Sequence, residues 1–585
     1  MLKRFFISML GTIAGIWIAI TIFIIGGIAI VAAAIGSSSK ANVVDDKSIL
    51  YLNLTGDITE RLEEQNFVDF VRDFESHGQS LEQMLTSIRL AANYRKISGI
   101  YIDAAGSGMG VASRQELIEA LEQFKESGKW IYAYADNYSE GDYLVASVAD
   151  KIFLNPVGNV DIHGVGMQTP FFTGLLDKLG VKIQVVKVGT YKSAVEPFIL
   201  TSMSEAARRQ NQVYVDSIWN FYANTIAANR DVTPATVSAW ADSLTFAWTA
   251  EHAADSRIVT ETRYRRSVED MLRSLTDVDS DDDLRLVTPE AYLEANAKKL
   301  SSASKDHIAV LYAVGDIVES GDGGIVGSTM VPQIIKLADD DNVAALVLRV
   351  NSGGGSAFAS EQIWEALEYF KSTGKPFYVS MGDYAASGGY YISCGADRIF
   401  ADETTLTGSI GVFGMIPDLS GLVTGKLGIT FSTVASSPNA TFMSLTQPMT
   451  PEQLKAMQSY VEDTYDKFTT RVADGRNMSV DSVKAIAEGR VWIGSSAVEL
   501  GLVDELGSLD ATVKAIADEV GLADDAWVAY PEIKNDFIER LLEQTSQLKA
   551  QGIILDPEIV KYLVAAKRIT ELEPVQARMP EIIIR

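Results

Sequence analysis

Cysteine and histidine are scarce in this sequence of 585 residues. Cys394 is the only cysteine and there are four histidines. This excludes an intramolecular disulfide framework and any metal site built from several cysteines, and it leaves little material for zinc, so we expect chemistry without a metal or a cofactor. Basic residues are also in deficit, because 50 Lys and Arg face 77 Asp and Glu and give a net charge of −27. A surface this acidic argues against a nucleic-acid groove.

Charge is absent from one long run near the N-terminus. After Lys3 and Arg4, the segment Phe5–Ile35 has no charged residue, and about 20 apolar residues suffice to cross a bilayer. A cleavable signal peptide ending near Ala32–Ala34 is the alternative, but its apolar region is usually only about 7–15 residues long. The sequence therefore predicts an uncleaved single-pass anchor over residues 1–36. Because basic flanks stay cytoplasmic, the rest of the chain is expected on the periplasmic side of the cytoplasmic membrane, in contact with lipid only through the anchor.

The remainder of the chain contains an internal repeat with a period of about 250 residues, long enough to be a whole domain. The matching blocks are LNLTGDITE and LYAVGDIVE (52–60 and 311–319), LIEALEQFKESGK and IWEALEYFKSTGK (117–129 and 363–375), ADKIF and ADRIF (149–153 and 396–400), and Ala247-Trp248 with Val491-Trp492. Within each copy, apolar strand patterns alternate with helical patterns, which is typical of an α/β fold with a parallel sheet.

The predicted organisation has five parts. They are the anchor (1–36), a first α/β repeat (37–261), a charged linker (262–306), a second α/β repeat (307–530) and a C-terminal tail that is helical in pattern (531–585). A charge run such as that in the linker is usually a solvated surface, so we assign it no function. The tail could pack on a neighbouring subunit.

A glycine-rich loop follows a predicted strand of the second repeat. It reads Asn-Ser-Gly-Gly-Gly-Ser at 351–356 and precedes a helical pattern. Glycines let the main chain approach a substrate closely, and amides at a helix start favour developing negative charge on a carbonyl oxygen, so the loop is a candidate oxyanion hole. A tight connection or a phosphate cradle is the alternative interpretation. A P-loop is excluded, because no Lys-Ser or Lys-Thr follows the glycines.

Ser387 is the candidate nucleophile. It lies in Asp-Tyr-Ala-Ala-Ser-Gly-Gly-Tyr (383–390), between a strand pattern and a helical pattern. The helix start favours its alkoxide, and the Gly388 N–H can supply an oxyanion donor. The alternative is a serine that only caps the helix. Two glycines directly after Ser387, together with the glycine loop one crossover earlier, favour the nucleophile.

Lys192 is the candidate general base, because a lysine whose pKa is lowered by burial can take a proton from a hydroxyl. It follows a predicted strand and has aromatic and small neighbours in GTYKSAVEPF (189–198). A lone lysine is more often a solvated surface charge. His163 is the competing base, but its surroundings are largely apolar and we interpret it as structural.

The repeat strengthens the pairing of Ser387 with Lys192. Aligning the copies places Glu140 at the position of Ser387, and Ala440 at the position of Lys192. Each half therefore keeps one member of a pair that a single ancestral domain could have carried whole. Ser-Lys pairs are a known variant of the catalytic triad.

These motifs together resemble the signal peptide peptidase A family in its long tandem form. The resemblance runs from about residue 48 to 515 and includes NSGGGSAFASE, GDYAASGGYYIS, LTGSIGVFGM, GTYKSAVEPF and GRVWIGSSAVELGLVDELG. It implies a Clp/crotonase-like fold for each repeat, a Ser387/Lys192 dyad, and Gly354 and Gly388 as oxyanion donors. The family usually has proline where this chain has Gly353.

The resemblance also implies a membrane-anchored serine endopeptidase that degrades cleaved signal peptides and other apolar peptides, and that assembles as a homotetramer. Two other interpretations remain open at this point. One is a catalytically impaired membrane scaffold that retains the peptidase fold. The other is a crotonase-type acyl-CoA enzyme, which would need no nucleophilic serine and would leave the anchor unexplained.

Overall fold

The computed structural model describes residues 44–62, 79–279, 282–300, 306–321, 323–530 and 575–579. The predicted anchor over residues 1–36 and most of the predicted tail lie outside these ranges. Within the described part of the chain, no helix is both long and apolar enough to cross a bilayer.

The strands of the described residues are, in chain order, β1 (Ser48–Thr59), β2 (Gln79–Ser80), β3 (Ile97–Gly108), β4 (Trp130–Ala135), β5 (Lys151–Leu154), β6 (Lys182–Val188), β7 (Glu261–Thr262), β8 (Leu286–Val287), β9 (His307–Val314), β10 (Ile317–Val318), β11 (Ile325–Val326), β12 (Val343–Ser352), β13 (Gly354–Ser356), β14 (Phe377–Ala386), β15 (Arg398–Ala401), β16 (Leu406–Gly408), β17 (Val412–Asp418), β18 (Val491–Ile493), β19 (Glu505–Leu506), β20 (Trp527–Tyr530) and β21 (Val575–Arg578).

The α-helices of the described residues are α1 (Leu81–Asn93), α2 (Val111–Lys125), α3 (Glu140–Ala146), α4 (Thr173–Leu179), α5 (Glu196–Ile199), α6 (Glu205–Arg230), α7 (Pro234–Asp242), α8 (Ala250–Asp255), α9 (Arg265–Leu275), α10 (Pro289–Leu300), α11 (Gly327–Asp339), α12 (Ala357–Ser372), α13 (Gly388–Ser393), α14 (Pro451–Gly475), α15 (Val480–Ile486), α16 (Gly494–Glu499) and α17 (Leu509–Val520).

Two parallel sheets repeat the same strand order. The first runs β8-β1-β3-β4-β5-β7 and the second runs β20-β9-β12-β14-β15-β19, and every neighbouring pair in these two paths is parallel. The predicted α/β class with parallel sheets and a tandem repeat is therefore confirmed. The central strands of both sheets are continuous hydrophobic runs, because helices pack on the sheets and bury the side chains of these strands.

The matched helical blocks show why the sequence folds this way locally. Helices α2 and α12 occupy them and bury aliphatic and aromatic side chains at helical spacing against their sheets. Both end shortly before a glycine with positive φ, Gly128 at 77° and Gly374 at 84°, where the chain turns back toward the next strand. The helical patterns expected within each copy are therefore confirmed at these two blocks.

A third, mixed sheet joins the two repeats, with the order β11-β10-β13-β21-β17-β6. Strand β6 of the first repeat pairs antiparallel with β17 of the second along seven residues of each. The connection that follows β6 is thereby held beside the second repeat. This sheet is what brings together residues that are far apart in the sequence.

Two predicted segments contain structure that their sequence patterns did not indicate. In the predicted linker, α9 buries Val268 and Leu272 on the first sheet and β8 pairs with β1, because these residues supply apolar contacts between the charges. In the predicted helical tail, residues 575–579 form strand β21 and the residue after it, since β13 and β17 offer unpaired backbone on both sides. The exact domain limits stay a prediction.

Candidate active site

Ser387 occupies the turn between strand β14 and helix α13. It is the N-cap residue of that helix, but its side chain makes no capping hydrogen bond. Its backbone has φ 56° and ψ −113°, a conformation that L-residues rarely adopt. Gly389 has to be small here, because a Cβ on it would lie 2.6 Å from the carbonyl oxygen of Ser352. Such a strained turn is typical of a nucleophile elbow, where the hydroxyl is kept free for chemistry.

Lys192 lies in the turn that follows β6, and its side chain contacts Ser387 of the second repeat. Its Nζ is 2.7 Å from Ser387 Oγ, 3.0 Å from the carbonyl oxygen of Ser409 and 3.2 Å from Ser409 Oγ. Both Lys192 and Ser387 are completely buried. Burial lowers the pKa of Lys192 well below its ordinary value, because the ammonium form is desolvated.

The contacts of Lys192 suit a neutral amine. A neutral amine has two N–H groups and one lone pair. The N–H groups can be donated to the two oxygens of Ser409, which leaves the lone pair to accept the Ser387 hydroxyl proton. This arrangement can increase the nucleophilicity of the serine oxygen.

Two glycines make room for the lysine. A Cβ on Gly489 would lie 2.7 Å from the Lys192 Cβ, and a Cβ on Gly411 would lie 3.2 Å from its Cδ. A side chain at either position would crowd the aliphatic stem of Lys192. The neighbouring Ser409 is held in the left-handed region, with φ 50°.

The two predicted oxyanion glycines lie side by side. A Cβ on Gly354 would lie 2.7 Å from the Gly388 nitrogen, and Gly354 has φ 101°, which only glycine adopts easily. The Gly354 N–H donates to Ser352 Oγ at 3.1 Å. At Gly353 a Cβ would meet nothing closer than 3.9 Å, from Met579, so the position has space for a side chain.

Strand β21 fills the groove beside these glycines. It pairs antiparallel with β13 on one side and with β17 on the other. The carbonyl oxygen of Ala577 would lie 2.1 Å from a Cβ on Gly354 and 3.0 Å from a Cβ on Gly388, so it faces both glycines. The space between β13 and β17 therefore holds an extended segment of this chain with backbone pairing on both edges.

A buried ion network ties the first repeat to the loops of the site. Arg349, on strand β12, donates to Glu60 at 2.9 and 3.0 Å and to Glu116 at 2.7 Å, and all three side chains are almost fully buried. The Asn351 amide joins Glu60 at 3.0 Å to Asp383 at 3.2 Å. These contacts fix the strand ends that carry the glycine loop and Ser387.

The first repeat has a different site at the corresponding place. Glu140, aligned with Ser387, begins helix α3, and its Oε1 accepts the backbone N–H groups of His163 at 3.2 Å and Gly164 at 2.8 Å. Burial raises the pKa of this carboxyl. A cavity of about 430 Å³ adjoins it, lined by Arg114 and Asp383 among others.

The remaining candidates do not contribute to this centre in the described residues. His163 contacts Asp161 at 3.1 Å and lies 4.0 Å from Glu140, both in the first repeat. Ala440, aligned with Lys192, is exposed. Cys394 is buried, and among the described residues no group of three or more His, Cys, Asp or Glu side chains is placed to hold a metal ion.

The structure thus brings Ser387, Lys192, Gly354 and Gly388 into one place. Sequence reasoning missed Ser409, the second partner of Lys192, and Arg349, the centre of the ion network. Ser409 carried a signal, because it lies in the LTGSIGVFGM motif. The sequence carried little signal for Arg349, since the partners of an arginine in an apolar strand can be identified only when the tertiary contacts are known.

The chain is similar in sequence to known peptidases. The model of peptidase family S49 matches residues 123–279 and 369–523, one match in each repeat. "Protease 4" of Salmonella typhi is 38% identical over 75% of this chain and 72% of its own, and "Protease 4" of Haemophilus influenzae is 34% identical over 87% and 86%. "Serine protease SPPA, chloroplastic" of Arabidopsis thaliana is 29% identical over 81% and 69%.

Among solved structures, a point mutant of ClpP1 from Listeria monocytogenes aligns with 36% of this chain and 95% of its own, at 14% identity and a TM-score of 0.24. That score is too low to establish a shared fold, and the Clp/crotonase likeness stays a prediction. The tandem family match and the two Protease 4 relatives carry the assignment: this chain belongs to peptidase family S49 and is a serine-type protease.

Proposed function

We propose that this protein is an endopeptidase in which Ser387 is the nucleophile and Lys192 is the general base. The observation that carries the proposal is the 2.7 Å contact between Lys192 Nζ and Ser387 Oγ in a completely buried setting. A surface lysine beside a serine would stay protonated at neutral pH. Here burial lowers the pKa of the amine, which is the condition for it to accept a proton.

The reaction follows the usual course of acyl transfer. The Ser387 hydroxyl gives its proton to Lys192 as its oxygen attacks the peptide carbonyl carbon. The amides of Gly388 and Gly354 are the proposed donors to the oxygen that becomes negative, and the Gly354 N–H would exchange its bond to Ser352 Oγ for this oxygen. Lys192 then returns the proton to the leaving amine. Water hydrolyses the serine ester with the same lysine as base.

The proposed substrates are cleaved signal peptides and other apolar peptides. The groove that β21 occupies takes an extended backbone and holds Ala577, a small residue, fully buried beside the oxyanion glycines. We further propose that residues 1–36 anchor the chain in the cytoplasmic membrane with the repeats on the periplasmic side. Apolar peptides leaving the bilayer would then reach the groove at a raised local concentration.

The proposed assembly is a homotetramer. Ser387 and Lys192 are proposed to pair within one chain, which the contact within this single chain supports. Mass measurement of the full chain in detergent tests the oligomer number directly.

A fluorophosphonate probe tests the nucleophile on the full chain in detergent. We expect stoichiometric labelling of the wild type and none of Ser387→Ala. Glu140→Gln is the matched control, since it changes the aligned position of the other repeat, and it should label like the wild type. Labelling that persists in a folded Ser387→Ala variant, or a wild type that neither labels nor cleaves an apolar peptide, contradicts the proposal and favours the scaffold interpretation.

A further inference from the structure

The first repeat has a cavity at the place that corresponds to the proposed active site of the second. Its volume is about 430 Å³, which lies within the range of small-ligand pockets, roughly 300–1,000 Å³. The loop before α2 and the start of α3 line it from the first repeat, and Asp383 and Tyr384 line it from the second. The cavity therefore lies between the two repeats.

Arg114, on helix α2, brings a guanidinium into the wall of this cavity. Only 9% of the residue is exposed. Its Nη1 donates to the carbonyl oxygen of Met109 and its Nη2 to that of Ser107 at 3.0 Å, whereas Nε has no hydrogen-bond partner in the described residues. Among those residues, no carboxylate forms an ion pair with it. The guanidinium is thus a buried charge without a counter-ion.

The internal repeat shows that this arginine stands in place of a serine. The alignment of α2 with α12 puts Arg114 at the position of Ser360. The contacts agree with this alignment. A Cβ on Gly388 would lie 2.8 Å from Ser360 Oγ, and a Cβ on Gly141, the aligned glycine, would lie 2.7 Å from Arg114 Cζ. The first repeat therefore has a guanidinium where the second has a hydroxyl beside its proposed oxyanion glycine.

Two carboxyl groups also line the cavity, but both already have partners. Glu140 accepts two backbone N–H groups. Asp383 accepts the N–H and the hydroxyl of Ser113 at 3.1 and 2.7 Å. Arg114 has only neutral carbonyl partners in the described residues. Because a buried charge is costly without an opposite charge, a ligand that supplies an anion here should bind favourably.

We propose that this cavity is a binding site for the C-terminal carboxylate of a short peptide, and that Arg114 is the residue that holds the carboxylate. A guanidinium has five N–H groups, of which two are donated to the loop carbonyls, and its planar fork matches the two oxygens of a carboxylate.

A peptide is the favoured carboxylate ligand because the cavity has the same local architecture as the proposed active site. Both sites are built from a glycine-containing loop before a long helix and from the start of a short helix. Apolar and aromatic side chains also line the cavity and suit apolar residues of a peptide: Met109, Val111, Val165, Tyr214 and Tyr222. Since Glu140 stands at the position of Ser387, the cavity would hold a peptide without cleaving it. This inference goes beyond the proposed function and does not depend on it.

Calorimetric titration with the tripeptide Ala-Leu-Ala tests the site on the full-length Ser387→Ala variant in detergent, which keeps the probe intact under the proposed mechanism. We expect saturable binding, and about 30-fold weaker binding of the same tripeptide with a C-terminal amide, because the amide has no charge to pair with the guanidinium. This comparison uses one protein and is independent of how further variants fold. Absence of binding, or equal affinity for the acid and the amide, would overturn the proposal.

Arg114→Met in the same background tests which residue holds the carboxylate. It should weaken binding of the acid tripeptide about 30-fold and leave binding of the amide unchanged, because the two changes remove the same contact. Arg114→Lys, which keeps the charge but loses the fork, should give an intermediate affinity. Arg95→Met changes an exposed arginine of the same repeat and is the matched control, which should bind like its parent. Equal weakening of acid and amide by Arg114→Met would refute the role of Arg114.

Titration with hexanoate distinguishes a peptide from a simple organic acid. Hexanoate carries a carboxylate and an apolar chain but no backbone amides, so we expect it to bind about tenfold more weakly than Ala-Leu-Ala. Equal affinities would show that the cavity takes carboxylic acids in general and would overturn the peptide assignment. Cleavage of a longer apolar peptide by the wild type is measured separately. Its absence would remove the proposed protease mechanism and leave this binding site standing.

Discussion

The two repeats share a strand order, but they carry different residues at the aligned turn where a loop meets a helix. The second repeat places Ser387 at the start of α13, with its groove filled by β21. The first places Glu140 at the start of α3, beside a cavity of about 430 Å³. The first repeat nevertheless supplies Lys192, through β6, to the second. The joining sheet thus brings Lys192 of the first repeat against Ser387 of the second, and the proposed active site takes one residue from each repeat.

The largest effect on activity is expected from removing the residue that the first repeat contributes to the proposed site. Lys192→Ala should reduce kcat/KM for an apolar peptide by roughly 10⁴-fold or more, about as much as Ser387→Ala, because groups that act as one unit are strongly non-additive. The double variant should be no worse than either single one. Steady-state kinetics on the full chain measure this.

Glu140→Gln is the control for that experiment, since it alters the first repeat without touching Lys192, and it should keep most of the activity. A Lys192→Ala variant that retained a large share of activity would contradict an active site shared by the two repeats, as would loss of activity in His163→Ala.

The next largest effect should come from the ion network between the repeats. Arg349→Met would leave Glu60 and Glu116 buried without their cation, which costs about 3–5 kcal/mol of the free energy of unfolding. Arg398→Met, which breaks the exposed pair with Glu505, is the matched control and should cost less than about 1 kcal/mol. Denaturant unfolding of both variants measures these losses. Equal losses in the free energy of unfolding would show that the ion network does not hold the two repeats together.

The pH dependence of activity sharpens the role assigned to the lysine. The folded pKa of Lys192 is lowered by burial, so the neutral amine should form, and kcat/KM should rise, at a pH below the ordinary lysine value of about 10.4. A pH–rate profile of the wild type measures this. A rise centred near 6.5 that disappears in His163→Ala would assign the base to histidine and refute the lysine.

The lowered pKa of Lys192 should also make the free energy of unfolding depend on pH, with a smaller effect than on activity. Because the pKa of Lys192 is lower in the folded chain, the lysine's contribution to stability is present above the unfolded pKa and is lost as pH falls toward the folded value. Lys192→Met, which keeps the apolar stem, should therefore be more stable than the wild type near pH 7. The gap should narrow by about 1.4 kcal/mol per pH unit as the unfolded lysine pKa is approached.

Unfolding free energies of both proteins between pH 7 and 10 measure that gap. A gap that stays constant over this range would mean that Lys192 is protonated in the folded chain, and the proposed base would have to be abandoned.

The sequence by itself determined the α/β architecture and the loops proposed to carry the chemistry. Strand and helix periodicity gave the α/β repeats, because hydrophobic spacing reports directly which face of an element is buried. Aligning the two copies of the repeat with each other placed Glu140 and Ala440 at the positions of Ser387 and Lys192, and this difference pointed to those two residues. Local patterns suffice wherever the deciding interactions lie within one element or between neighbouring strands.

Only the tertiary structure decided which distant residues meet. Pairing of β6 with β17 sets the 2.7 Å contact of Lys192 with Ser387 across 195 positions of sequence. The burial of Arg349 between Glu60 and Glu116, and the seating of β21 in the groove, likewise depend on backbone edges and charges contributed by other parts of the chain. The residue spacing of a single segment carries no record of such partners, so no periodicity could reveal them.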